Sequence, residues 1–145
     1  MSLLDKVVLW LHIGFAIFAI GPLTAVTSSV PRYIRKRDVA VLRYLRRSTR
    51  LFGVLTLGVF ITGLILGGSD LGAPWLSASM TLFVVAAVLM VFIERDQGAA
   101  LRALSSESPK DDARVQIGRI AAMGGIAAVI WLVILFLMVF FASTR

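Results

Sequence analysis

The segment Pro31–Arg50, PRYIRKRDVAVLRYLRRSTR, carries eight Lys/Arg (Arg32, Arg35, Lys36, Arg37, Arg43, Arg46, Arg47 and Arg50) against one acid, Asp38. Long apolar runs flank it on both sides. Basic residues beside a membrane-crossing segment stay on the cytoplasmic side, so this block assigns a side to every other part of the chain. A net charge of +7 would suggest nucleic acid in a soluble chain. Here the charges border apolar runs, so topology accounts for them and no nucleic-acid partner is expected. Composition agrees, with 59% of residues hydrophobic and 16% charged, against about 45–50% and about 25% in soluble domains.

A crossing needs about 20 apolar residues, and the 145-residue chain has room for four, at about 4–29, 51–66, 78–93 and 117–141. The expected fold is all-α: a single-domain, polytopic membrane four-helix bundle with two helical hairpins extending into the cytoplasm. Segments 31–50 and 94–119 hold thirteen of the 15 Lys/Arg, leaving Lys6 and Arg145 outside. Both termini are therefore expected outside a bacterial cytoplasmic (inner) membrane, with anionic lipid of the inner leaflet against the arginines. The first span reads as uncleaved. Asp5 cancels Lys6, and the apolar run Val7–Val26 exceeds the roughly 7–15 residues of a signal h-region.

Local signals add detail. Gly21-Pro22 predicts a kink near Phe18–Gly21, and Pro31 predicts the end of the first helix. Asp38 is a candidate N-cap, with Leu42, Leu45, Thr49 and Phe52 recurring at helical spacing. They predict one helix over 38–66, part of it standing in the cytoplasm; an amphipathic segment lying on the leaflet is the alternative. Gly67–Ser79 reads as a turn-rich external loop with Trp75 at the interface. The third helix is expected to continue to Leu104, and Ser108-Pro109-Lys110-Asp111 to start the fourth.

Small residues mark close helix approach. Span 2 carries Gly53, Gly58, Gly63 and Gly67; span 4 carries Gly118, Gly124 and Gly125 among Ala121, Ala122 and Ala128. Two readings stand: packing within the bundle, or a face for a homodimer or a partner membrane subunit.

With no cysteine, thiol chemistry is excluded. The single histidine, His12, lies about 10 Å below the external helix end at 1.5 Å per residue. An ionisable residue inside a span is a functional candidate. Thr62 and Thr81 are expected at a similar depth. His12 reads as a neutral imidazole bonded to such a hydroxyl, as a haem or metal ligand, or as a proton relay. One histidine supplies one axial ligand; a second would come from another copy or a partner. Glu94, Arg95 and Asp96 face the level of Arg47 and Arg50, giving either an interfacial charge cluster that pins two helices or a headgroup or substrate site. No hydrolase, metalloprotease or nucleotide-binding motif occurs, and spans 2–4 have no charge in their middle turns. The primary reading is a non-enzymatic accessory or interaction subunit; the alternative is a haem-binding redox or haem-handling protein using His12.

Leu11-His12-Ile13-Gly14-Phe15-Ala16, followed by Ile20-Gly21-Pro22, resembles the opening of a family of small bacterial predicted integral membrane proteins with no assigned function. That family looks distantly similar to the copper-resistance D proteins and to small four-helix membrane protoporphyrinogen oxidases. The resemblance implies a haem-binding role for His12 alone. The oxidases also rely on a lysine in a later span, whereas Lys6, Lys36 and Lys110 all lie outside the expected spans here.

Overall fold

Four helical rods make up the computed structural model, which describes residues 2–68, 71–105 and 113–141. The first rod, Leu3–Arg35, comprises α1 (Leu3–Phe15), a π-helical turn (Ala16–Ile20) and α2 (Gly21–Arg35). The others are α3 (Val39–Gly67), α4 (Pro74–Leu104) and α5 (Arg114–Phe141). Each rod is long and apolar enough to cross a membrane, and no strand occurs among the described residues.

Sequence chemistry explains the boundaries. α1 opens with a reciprocal capping box: Asp5 N–H donates to Ser2 Oγ at 3.1 Å, and Ser2 N–H donates to Asp5 Oδ2 at 3.0 Å. These bonds satisfy two donors that a helix start otherwise leaves open. Pro22 would drive its ring into the carbonyl of Phe18 in a regular helix. The wider π turn spans that residue and absorbs the clash.

Pro31 does not end the first helix, contrary to the expectation from its sequence. α2 runs through it to Arg35. Proline removes one backbone bond there, but Thr27, Val30, Pro31 and Ile34 are all buried, and tertiary packing overrides local propensity. The helix ends instead in a Schellman motif. Arg37 adopts φ 55°; its N–H donates to Ile34 O at 3.0 Å, and Asp38 N–H donates to Tyr33 O at 3.1 Å. Asp38 then caps the next helix, accepting from Val41 N–H at 3.2 Å. One residue thus closes α2 and starts α3, and the basic hairpin needs only Lys36–Asp38 to turn.

α3 is one unbroken helix with Leu42, Leu45 and Thr49 buried, so no separate leaflet-lying segment forms. The connection after it is shorter than expected. Pro74 and Trp75 belong to the first turn of α4 rather than to a loop. The fixed φ of proline suits a first helical turn, where its missing N–H has no partner to lose. α4 continues to Leu104. The expected helix start at Ser108–Asp111 lies outside the described residues.

The rods form a cycle. α1 and α2 pack on α3, α3 on α4, α4 most extensively on α5, and α2 on α5. The apolar core gathers toward the end bearing the α2–α3 turn, around Leu23, Val30, Ile34, Ile93, Ala100 and Ile120. α1 buries none of its residues. Hydroxyls inside the rods are satisfied locally: Thr27, Thr49, Thr56, Thr62 and Ser79 each donate to the carbonyl one turn earlier.

Candidate functional site

Two polar constellations sit at opposite ends of the bundle. The first surrounds His12, on the half-buried face of α1 that meets α3. Nδ1 lies 3.0 Å from Val59 O and 2.9 Å from Thr62 Oγ1. Thr62 Oγ1 itself donates to Gly58 O at 2.7 Å, and a carbonyl oxygen can only accept. The network therefore assigns the ring proton to Nδ1. Nε2 has no hydrogen-bond partner among the described residues, so its lone pair is available. Thr81 does not join the site; it is exposed and donates to Ser77 O at 2.9 Å.

Glycines make this approach feasible. A Cβ on Gly63 would stand 3.2 Å from His12 Cε1, and one on Gly58 would stand 2.8 Å from the Phe15 ring. His12 and Phe15 thus rest against bare backbone of α3. A Cβ on Gly67 would meet Leu76 Cδ2 at 2.6 Å. By contrast, a Cβ added at Gly53, Gly118, Gly124 or Gly125 would meet nothing within 4 Å. Gly118, Ala121, Ala122 and Gly125 are all exposed, along one face of α5.

The second constellation occupies the basic end. Glu94 Oε1 accepts from Arg46 Nε and from Arg50 Nε, each at 2.7 Å. Asp96, on another side of α4, pairs with Arg119 of α5 at 3.2 Å. Between them, buried Gln97 donates through Nε2 to Thr49 Oγ1 at 3.0 Å, while its Oε1 has no partner. A Cβ on Gly98 would lie 2.7 Å from Arg46 Cζ, so the Arg46 guanidinium lies against bare α4 backbone. Glu94 and the three consecutive positions Asp96, Gln97 and Gly98 thus tie α4 to α3 and α5. Arg47 and Arg95 are exposed and make no ion pair among the described residues.

Arg46, Gln97 and Arg119 carry no individual role in the sequence reading. A signal for Arg46 was present: it lies four residues before Arg50, on the same helix face, so a partner of one is within reach of the other. Gln97 had none, because a lone amide in an apolar stripe says nothing about its partner.

Residues 6–140 match the family of predicted integral membrane proteins designated DUF2269, and the chain belongs to that family. No curated protein and no solved structure matches it.

Proposed function

We propose that this member of a predicted integral membrane protein family is a non-enzymatic interaction subunit that pairs with a second copy of itself through α5. One observation carries the reading. Gly58, Gly63 and Gly67 of α3 already seat Phe15, His12 and Leu76, whereas Gly118, Ala121, Ala122 and Gly125 of α5 are exposed, and a Cβ added at either of these glycines would meet nothing within 4 Å among the described residues. A Gly/Ala face lets two helices approach closely in lipid. A two-fold pair requires a self-complementary patch, and a flat stripe of this kind meets its own copy without clash.

The absence of cysteine gives the test a clean background. Ala121→Cys and Gly125→Cys are expected to cross-link into dimers in native membranes under mild oxidation. Val54→Cys, exposed on α3, is expected to remain monomeric. Absence of cross-linking at both α5 positions, or equal cross-linking at Val54, would overturn the pairing. In this reading both termini are external, in a bacterial inner membrane, because Lys/Arg crowd the α2–α3 and α4–α5 ends. A C-terminal fusion to an enzyme active only outside the cytoplasm is expected to be active.

The second reading, a haem-binding redox or haem-handling protein, rests on the held Nδ1 and free Nε2 of His12. An imidazole anchored through one nitrogen presents the other as a ligand. His12 would hold the iron, and the haem would supply one-electron chemistry. Oxidised and dithionite-reduced absorbance spectra beside His12→Ala decide it. A Soret band lost in the variant supports ligation; a colourless protein after haem supply refutes it.

A further inference from the structure

The basic end holds more positive charge than its internal ion pairs use. A groove of about 400 Å³ lies between α3 and the last turns of α4, and Arg43, Arg46, Arg47, Arg50 and Arg102 line it. On α3 these arginines fall at positions i, i+3, i+4 and i+7, which is one helix face. Arg102 faces them from α4. The acid bonded to this set is Glu94, whose Oε1 engages only the Nε groups of Arg46 and Arg50. Five guanidiniums against one carboxylate leave a net charge of about four inside one concavity. Arg43, Arg47 and Arg102 have no ion-pair partner among the described residues. Gly98 completes the site: without a Cβ, it lets the Arg46 guanidinium lie against the α4 backbone.

We infer that this groove binds the phosphate headgroup of an anionic phospholipid. One feature selects phosphate, and a second selects a lipid over a soluble anion. The guanidinium fork matches phosphate oxygens in pairs. Directly below the groove, α3 turns apolar, with Leu51 four residues after Arg47 and Val54 four residues after Arg50. Both apolar side chains are more than half exposed. The same helix face therefore offers charge where a phosphate would sit and an apolar track where an acyl chain would run. A general basic surface attracts anionic lipid by summed charge alone. This groove differs by being concave, walled by two helices, and continuous with an apolar strip.

The test is native mass spectrometry of the intact protein released from mixed detergent–lipid micelles. Phosphatidylglycerol and phosphatidylcholine are supplied at equal concentration. The wild type is expected to retain phosphatidylglycerol at least tenfold over phosphatidylcholine. The triple variant Arg43→Ala/Arg47→Ala/Arg102→Ala spares the Glu94 pairs that join the helices, and it is expected to lose this preference. Should the triple variant fail to fold, Arg102→Ala alone is expected to weaken retention at least threefold. Arg32→Ala/Arg35→Ala/Arg95→Ala removes the same charge elsewhere and is expected to keep the preference. Equal loss in both triple variants would reduce the effect to summed charge and overturn the site. Retention unchanged in every groove variant would overturn it too. Inorganic phosphate at 100-fold excess is expected not to displace the lipid; displacement would mean a site for a free anion and would overturn the assignment to lipid.

Discussion

Alanine placed at Gly53 and at Gly58, one at a time, adds the same methyl group to the same helix with opposite expected results. Within a helix, Gly→Ala gains about 0.8–1.0 kcal/mol from propensity. At Gly53 nothing lies within 4 Å of the new Cβ, so the gain stands alone. At Gly58 the Cβ would lie 2.8 Å from Phe15 Cδ1 and Cε1 and 2.9 Å from Cγ. Ordinary carbon contact is about 3.5–4.0 Å. Phe15 must therefore withdraw by about 0.7–1.2 Å. A ring flip about χ2 cannot supply this, because Cγ lies on that axis; the ring must swing about χ1 out of its seat or α1 must move. Overpacking of this kind costs about 1–3 kcal/mol. Gly53→Ala is expected to stabilise by up to about 1 kcal/mol, and Gly58→Ala to be destabilising by up to about 2 kcal/mol. The assay is reversible SDS titration in mixed micelles, followed by the fluorescence of Trp10, Trp75 and Trp131. Gly58→Ala in a Phe15→Ala background is expected to change sign and become stabilising, because the obstacle has gone. Indistinguishable midpoints for the two single variants, or an unchanged Gly58→Ala effect without Phe15, would refute the packing of α1 on α3.

Three further outcomes follow from the basic end. In the same titration, Arg46→Gln is expected to cost about 1–2 kcal/mol, because Arg46 is only 28% exposed beside a Glu94 that is 20% exposed. Arg50→Gln is expected to cost under about 0.5 kcal/mol, because Arg50 is 60% exposed, and Arg47→Gln is expected to cost nothing measurable. Asp38→Ala is expected to cost about 1 kcal/mol by removing the α3 cap, while Asp38→Asn keeps most of it. Gln97→Met is expected to be neutral or stabilising, because it removes a buried Oε1 without a partner and leaves Thr49 donating to Leu45 O. A loss above about 2 kcal/mol there would mean the amide is satisfied.

What the sequence makes legible follows from the kind of signal each feature carries. The α3 inner face was legible because Leu42, Leu45 and Thr49 interrupt a strongly basic segment at helical spacing. Asp38 was legible as a cap because no other residue nearby could serve. Pro31 misled because a breaker's effect depends on what the following turn buries, and Val30 and Ile34 are completely enclosed. Pro74 misled for the opposite reason: among Gly, Ser and Asp it looks like a loop residue, yet its chemistry suits a first helical turn. Of the two arginines expected at the level of Glu94, Arg50 pairs with it, and Arg46 takes the place of Arg47. Depth along a rod can be counted from sequence; rotation about its axis requires the neighbour.

Rotation also separates the two glycine stripes. α3 has charged turns that betray which side is wet, but α5 is apolar all round beyond Arg119, so its sequence names no inward face. The structure turns Ile120, Ala127 and Ile130 inward and leaves Gly118, Ala121, Ala122 and Gly125 outside. That orientation has a cost. Each exposed glycine gives up about 0.8–1.0 kcal/mol of helix propensity relative to alanine, and a lipid-facing position would accept leucine or isoleucine at little penalty. On α3 the equivalent loss at Gly58 and Gly63 is offset by the close seat of Phe15 and His12. On α5 nothing among the described residues offsets it at Gly118 or Gly125. A second α5 laid across the same stripe would, because backbones brought together there recover the packing contacts that the missing side chains forgo. Replacing Gly118 and Gly125 together by leucine separates the alternatives. A lone chain would keep its stability or improve it, with the monomer unchanged in size. A paired chain would shift from dimer to monomer in sedimentation while each monomer remained folded.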